Sequence, residues 1–83
     1  MYEKIPPVIM ESLKRYRDNH TPVGGFLRAV LENDLFDAWA RGDSNSIAAL
    51  QDITSFVYWE LPSIAWGSAD AYMKWIDNKG RAA

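Results

Sequence analysis

Apolar residues recur along the chain at the three-to-four-residue spacing that keeps them on one face of a helix. Ile9, Leu13 and Tyr16 stand at i, i+4 and i+7 behind Pro6-Pro7. Proline suits a helix entrance because the first helical N–H groups lack partners anyway. Glu11 precedes Arg15 by four residues, a supportive surface pair. Asp18-Asn19-His20-Thr21-Pro22 then stops the helix. Phe26, Leu27, Val30 and Leu31 repeat the spacing in a second helix. Asn33 can leave it in the left-handed conformation, and Asp34 can cap a short third helix carrying Leu35, Phe36, Ala38 and Trp39.

Gly42 ends that piece, and Asp43 or Ser44 opens what reads as the longest helix, striped by Ile47, Leu50, Ile53 or Thr54, and Val57. Phe56 and Trp59 lie on its other side, so it is apolar on more than one face, as a helix central to a bundle or at an interface is. Pro62 breaks it, residues 63–67 form a connector, and Ser68 caps a last helix bearing Tyr72, Trp75 and Ile76, with Gly80 as its C′ residue. No segment alternates with period two over enough residues to make a strand. The pattern predicts an all-α protein, a compact bundle of four to five short helices, with residues 1–83 forming a single domain.

Composition changes the picture in one respect. A chain of 83 residues buries only about 60% of the surface its unfolded form exposes, and without cysteine it has neither disulfides nor thiolate metal sites as staples. It has instead eleven aromatic residues, among them Trp39, Trp59, Trp66 and Trp75. These are many for one small core, so some are expected at an oligomer interface or in a ligand pocket. No run of about 20 apolar residues occurs. The opening MYEKIPPVIM lacks the apolar stretch of a secretory signal, so a cytoplasmic location is expected.

Charge is unevenly spread. Residues 1–31 carry five basic and three acidic groups, +2; residues 32–70 carry seven acidic groups and Arg41, −6; residues 71–83 return to +2. Either these are solvated faces, or the basic ends meet the acidic middle, within the chain or on a neighbouring copy.

The stretch PVGGFLRAVL places two glycines where helical spacing begins, although glycine costs about 1 kcal/mol against alanine inside a helix. Three explanations compete. Thr21 could cap the helix with Pro22, Gly24 and Gly25 in its first turn, leaving bare N–H groups as an anion site with Arg28 one turn on. The glycines could instead admit another helix at short range, one presenting a tryptophan. Or they are a turn preceding the helix. The pair is not a phosphate-binding loop, since the following lysine and hydroxyl are missing, nor a dinucleotide fingerprint, since no strand precedes it.

Pro22-x-Gly24-Gly25-Phe26-Leu27-x-Ala29-Val30-Leu31-x-Asn33-Asp34-Leu35, followed by Trp66-Gly67-Ser68 and Trp75, resembles a family of small, poorly characterised phage and prophage proteins. The resemblance spans most of residues 5–77. It implies an accessory role without established catalysis, antagonism of a host process or defence being one common kind. The pattern nominates a joint ligand site at Gly24, Gly25, Phe26, Arg28, Asn33, Asp34, Trp66, Gly67 and Ser68. A ring, a guanidinium, bare N–H groups and an amide are the parts a nucleotide pocket uses. Each also has a structural role: Phe26 and Trp66 as core, Asn33, Asp34 and Ser68 as caps, Gly67 as a turn.

Catalysis finds little to work with. Nucleophilic chemistry needs a nucleophile, a base and an orienting group, and the lone His20 in a loop reads as solvated. Asp34 and Asp37 suit the first turn of a helix better than acid–base work. Asp43-Ser44-Asn45-Ser46 begins like a calcium loop, but Ile47 and Ala48 stand where a ligand and the turn glycine belong. Arg41-Gly42-Asp43 spells an adhesion tripeptide and reads as a helix end and the next cap. Lys4, Lys14, Arg15 and Arg17 are a thin basic cluster in a chain of pI about 5.2, which disfavours nucleic acid. The −6 segment is too sparse to imitate a duplex.

The sequence therefore points to a non-enzymatic, self-associating binding protein without metal or cofactor. One form is a phage-type module that blocks a host protein through an aromatic surface anchored by Trp39, Trp59 and Trp75. The alternative is an oligomeric sponge for an anionic, nucleotide-like small molecule, such as a cyclic nucleotide signal.

Overall fold

Proline opens the first helix. In the computed structural model, which describes residues 2–78, Pro6 is the N-cap and Pro7 the first residue of α1 (Pro7–Asn19). Leu13 and Tyr16 on its inward face are fully buried. The helix ends where His20 takes a left-handed conformation, φ 56°, and returns its N–H to the carbonyl oxygen of Tyr16 at 3.1 Å. Then come α2 (Gly25–Leu31), α3 (Leu35–Arg41), α4 (Ser44–Ala48), α5 (Leu50–Glu60), a 3₁₀ turn at Ser63–Ala65, and α6 (Ala69–Asp77). The described residues are thus all helix and connection, as the periodicity predicts. The expected C′ residue Gly80 lies outside them.

The caps follow local side-chain chemistry. Asn33 is left-handed at φ 63°. Asp34 accepts from the N–H of Asp37 at 3.1 Å, Asp43 from that of Ser46 at 2.8 Å, and Ser68 from that of Ala71 at 3.0 Å. Each satisfies one of the donors a helix start leaves free.

Three expectations about the helices need correction: among the described residues there are six α-helices where four to five were expected. The longest helix is α1, with 13 residues, not the one beginning at Asp43. That segment breaks at Ala49, φ −92° and ψ 2°, into α4 with 5 residues and α5 with 11. The N–H of Ala49 is shared between the carbonyls of Asn45 and Ser46, at 3.1 and 3.2 Å, a tightened last turn. Ala49 is itself buried and belongs to the core, as do Ile53, Phe56 and Val57 of α5, whereas α4 buries only Ser46.

That core joins Leu13 and Tyr16 of α1, Leu27 and Leu31 of α2, Ile53, Phe56 and Val57 of α5, and Tyr72 and Trp75 of α6. Its polar atoms are paired across long sequence distances. The Tyr16 ring stacks on Tyr72, centroids 5.6 Å apart, and its hydroxyl donates to Ala65 O at 2.6 Å. Trp75 Nε1 donates to Tyr16 O at 2.7 Å. His20, expected in solvent, is buried: its ring stacks on Trp75 at 4.0 Å, and Nδ1 donates to Trp75 O at 2.7 Å. The radius of gyration, 11.8 Å, is that of a folded chain of this length. Among the described residues no helix is long and apolar enough to cross a membrane.

Ion pairs among the described residues are local: Glu11–Arg15, Arg17–Asp18, Arg28–Glu32, Asp37–Arg41 and Asp70–Lys74. The uneven charge is thus largely answered within single helices. Two longer links join the first residues to the acidic middle: the backbone N–H of Lys4 donates to Asp52 Oδ2 at 3.1 Å and the Tyr2 hydroxyl to Glu60 Oε2 at 3.1 Å.

Candidate functional site

The structure divides the residues nominated as one ligand site. α2, about 10 Å long by helix rise, separates Gly24 and Gly25 at its start from Asn33 just beyond its end. Gly24 is the N-cap, so Thr21 and Pro22 lie outside the helix rather than in its cap and first turn. The pair straddles the helix start, Gly24 extended at φ −71° and ψ 172° and Gly25 the first helical residue, rather than forming a turn ahead of it. Gly25 also accommodates a close neighbour, the Arg41 side chain: a Cβ there would stand 3.0 Å from its terminal nitrogen. The neighbour is an arginine rather than a tryptophan, and it is held in turn by Asp37 at 2.9 Å.

Arg28 is engaged as well. Its Nε donates to Glu32 at 2.7 Å, and its guanidinium lies 5.0 Å from the centre of the Tyr72 ring. The hydrogen bond to Glu32, with that carboxylate's charge, pushes the guanidinium's pKa further up. An anion arriving here competes with an intramolecular carboxylate. Phe26 packs against the core, and a Cβ on Gly42 would touch its ring at 2.8 Å. Asp34 and Ser68 are caps, and the N–H of Gly67 donates to Leu31 O at 2.7 Å.

Asn33 and Trp66 do meet, at a different place. With Val30 they form one wall of a groove of about 480 Å³ whose floor is the outer side of α5: Gln51, Thr54, Ser55, Tyr58 and Trp59. Tyr58 stands edge-on to Trp59 at 4.9 Å and tilts toward Trp66 at 5.9 Å, so three rings form one cluster. The groove continues past Val30, Thr54 and Leu50 to Leu35 and Ala38. It ends in an apolar hollow of about 410 Å³ between Leu35, Phe36, Trp39 and Leu50.

Exposure makes this face unusual. Phe36 is 83% exposed, Trp39 67%, Tyr58 60% and Trp59 71%. The cause lies in α3, which buries only Ala38 and turns its larger apolar side chains outward. α5 buries Ile53, Phe56 and Val57 and leaves the next two rings on the opposite side. Asp34 is the one charged side chain lining the groove and hollow, and it caps α3. Trp66 Nε1, buried behind the wall, has no acceptor among the described residues.

Of the three tryptophans expected at an interface, Trp39 and Trp59 are on this face. Trp75 is not: it is buried between Tyr16 and His20 with its N–H paired, so it is core. Phe36 and Tyr58 are surface rings that sequence reasoning passed over, although their spacing of three from Trp39 and eight from Leu50 holds the signal. Among the described residues no three histidine or acidic side chains converge as a metal site. No protein-family model matches the chain, and neither the curated proteins nor the solved structures yield a significant match.

Proposed function

We propose that this protein acts without catalysis, by docking another protein on the aromatic face of α3 and α5. The observation that carries the proposal is that Phe36 and Trp39 at one end, and Tyr58 and Trp59 at the other, flank a groove whose one charged lining residue is the capping Asp34, each of the four at least 60% exposed. Monomeric proteins rarely expose apolar patches beyond a few hundred Å² unless the patch binds something. Depletion of charge and enrichment in tyrosine, tryptophan and phenylalanine is the composition of an interface centre. The resemblance to phage and prophage proteins supplies a role: the face occupies or blocks a host protein in the host cytoplasm.

The test is capture from bacterial lysate by the wild-type chain and by Trp39→Ala and Trp59→Ala, with helicity followed by circular dichroism. A captured protein that is lost with both substitutions, while helicity is unchanged, supports the reading. Equal capture by all three chains refutes it.

A further inference from the structure

Resting on the docking-face reading above, we infer that the occupant of this face in the isolated protein is a second copy of the chain. The two copies are related by a two-fold axis passing near Leu50 and Thr54.

The face has two unlike ends. At one end the exposed rings of Phe36 and Trp39 project from α3 and rim the hollow they share with Leu35 and Leu50, the rings themselves forming a ridge; at the other end is the groove beside Tyr58, Trp59 and Trp66. Leu50 and Thr54 lie between them, and along α5 the distance from Leu50 to Trp59 is about 13 Å. A two-fold axis normal to the face at its middle carries each end onto the other. The ridge of one copy then enters the groove of its partner, twice, in the closed arrangement that cyclic dimers use. A partner of different sequence would need its own ridge and groove at this spacing; a second copy has both by construction.

Charge agrees. A second copy brings the same charges, so a face that pairs with itself must avoid a surplus of one sign. Residues 32–70 hold seven acidic groups and one basic group, yet the groove and hollow within that segment carry only the capping Asp34. A face shaped for a basic partner would have drawn on that acidic surplus.

Area agrees as well. The four exposed rings offer about 560 Å², against the about 800 Å² per partner of a standard interface. Leu35, 63% exposed, and the half-buried Val30 and Leu50 extend the patch toward that size. A host protein taking the same face must displace the second copy.

The experiment uses sedimentation of the full chain at high micromolar concentration, with Phe36→Glu, Trp59→Lys and their equimolar mixture. The wild type is expected at twice the 9.5 kDa chain mass. Each substitution occurs twice in a dimer and should raise the dissociation constant at least about a hundredfold, leaving monomers. Mixing should restore a dimer, because one ridge–groove contact becomes a Glu–Lys pair and the other remains wild type. A monomeric wild type overturns the inference. So does a dimer that survives both substitutions, or a mixture that stays monomeric. Lysate capture by the same chains separates the two readings: capture lost with the substitutions despite a monomeric wild type leaves the docking face standing, and capture unaffected by them removes it too.

Discussion

The hydroxyl of Tyr16 donates to the carbonyl oxygen of Ala65 at 2.6 Å, tying the middle of α1 to the turn ahead of α6, 49 residues away. Tyr16→Phe leaves that buried carbonyl unpaired and should cost about 1–2 kcal/mol in urea unfolding. Burial also pushes the phenol's pKa well above its ordinary value of 10.0, with neighbouring Tyr72 and Glu32 adding to the shift. The folded chain therefore holds this proton more tightly than the unfolded chain. Its contribution is complete below about pH 10 and declines as the pH rises beyond it. Unfolding curves across alkaline pH should show a fall in wild-type stability that is smaller in Tyr16→Phe.

Two tryptophans should respond unequally to the same change. Trp75→Phe removes a buried N–H that bonds Tyr16 O at 2.7 Å and opens space beside His20, at about 2–3 kcal/mol. Trp66→Phe removes an indole N–H that has no acceptor among the described residues. Relief of that donor offsets part of the lost contact, for a net cost below about 1 kcal/mol. Chemical denaturation of both variants checks the order.

The glycines should separate by what surrounds them. Gly42→Ala sets a Cβ 2.8 Å from both the Phe26 ring and Ile47 Cδ1, and should cost about 1–3 kcal/mol by overpacking. Gly25→Ala meets only the Arg41 side chain, whose far end can move. Alanine's helix preference, up to about 1 kcal/mol, then makes it neutral or stabilising. Thermal unfolding of the two variants should place them on opposite sides of the wild type or leave Gly25→Ala level with it.

Phe36→Ala, Trp39→Ala and Trp59→Ala should each leave stability within about 0.5 kcal/mol, because these rings contribute little to the core. Thermal melts at low protein concentration give the measurement. A melt lowered as far as that of Trp75→Phe would place the ring in the core instead.

Where a helix starts or stops through its own side chains, the sequence was legible. Asp34, Ser68 and Asn33 carry their roles in their chemistry and need no partner from elsewhere in the chain. Spacing, by contrast, gives an angle around a helix axis but not which angle meets a neighbour. Phe56 and Trp59 are three residues apart on an α5 that is apolar on two sides, and only packing leaves one buried and the other 71% exposed. His20 looked like solvated loop because its shelter comes from Trp75, 55 residues later. The companion of Gly25 is likewise an arginine from the next helix, which no local motif announces. The nominated ligand residues fall into two groups for the same reason: sequence proximity put residues together that α2 holds at its two ends.

The unequal settings of the four indoles make the protein its own optical probe. Trp75 is shielded against His20, while Trp39 and Trp59 stand largely in water, so the long-wavelength part of the fluorescence comes from the two exposed rings on the α3–α5 face. Covering that face should shift the emission toward the blue and protect it from a soluble quencher. Occupancy can then be read from unlabelled protein, whatever the occupant is.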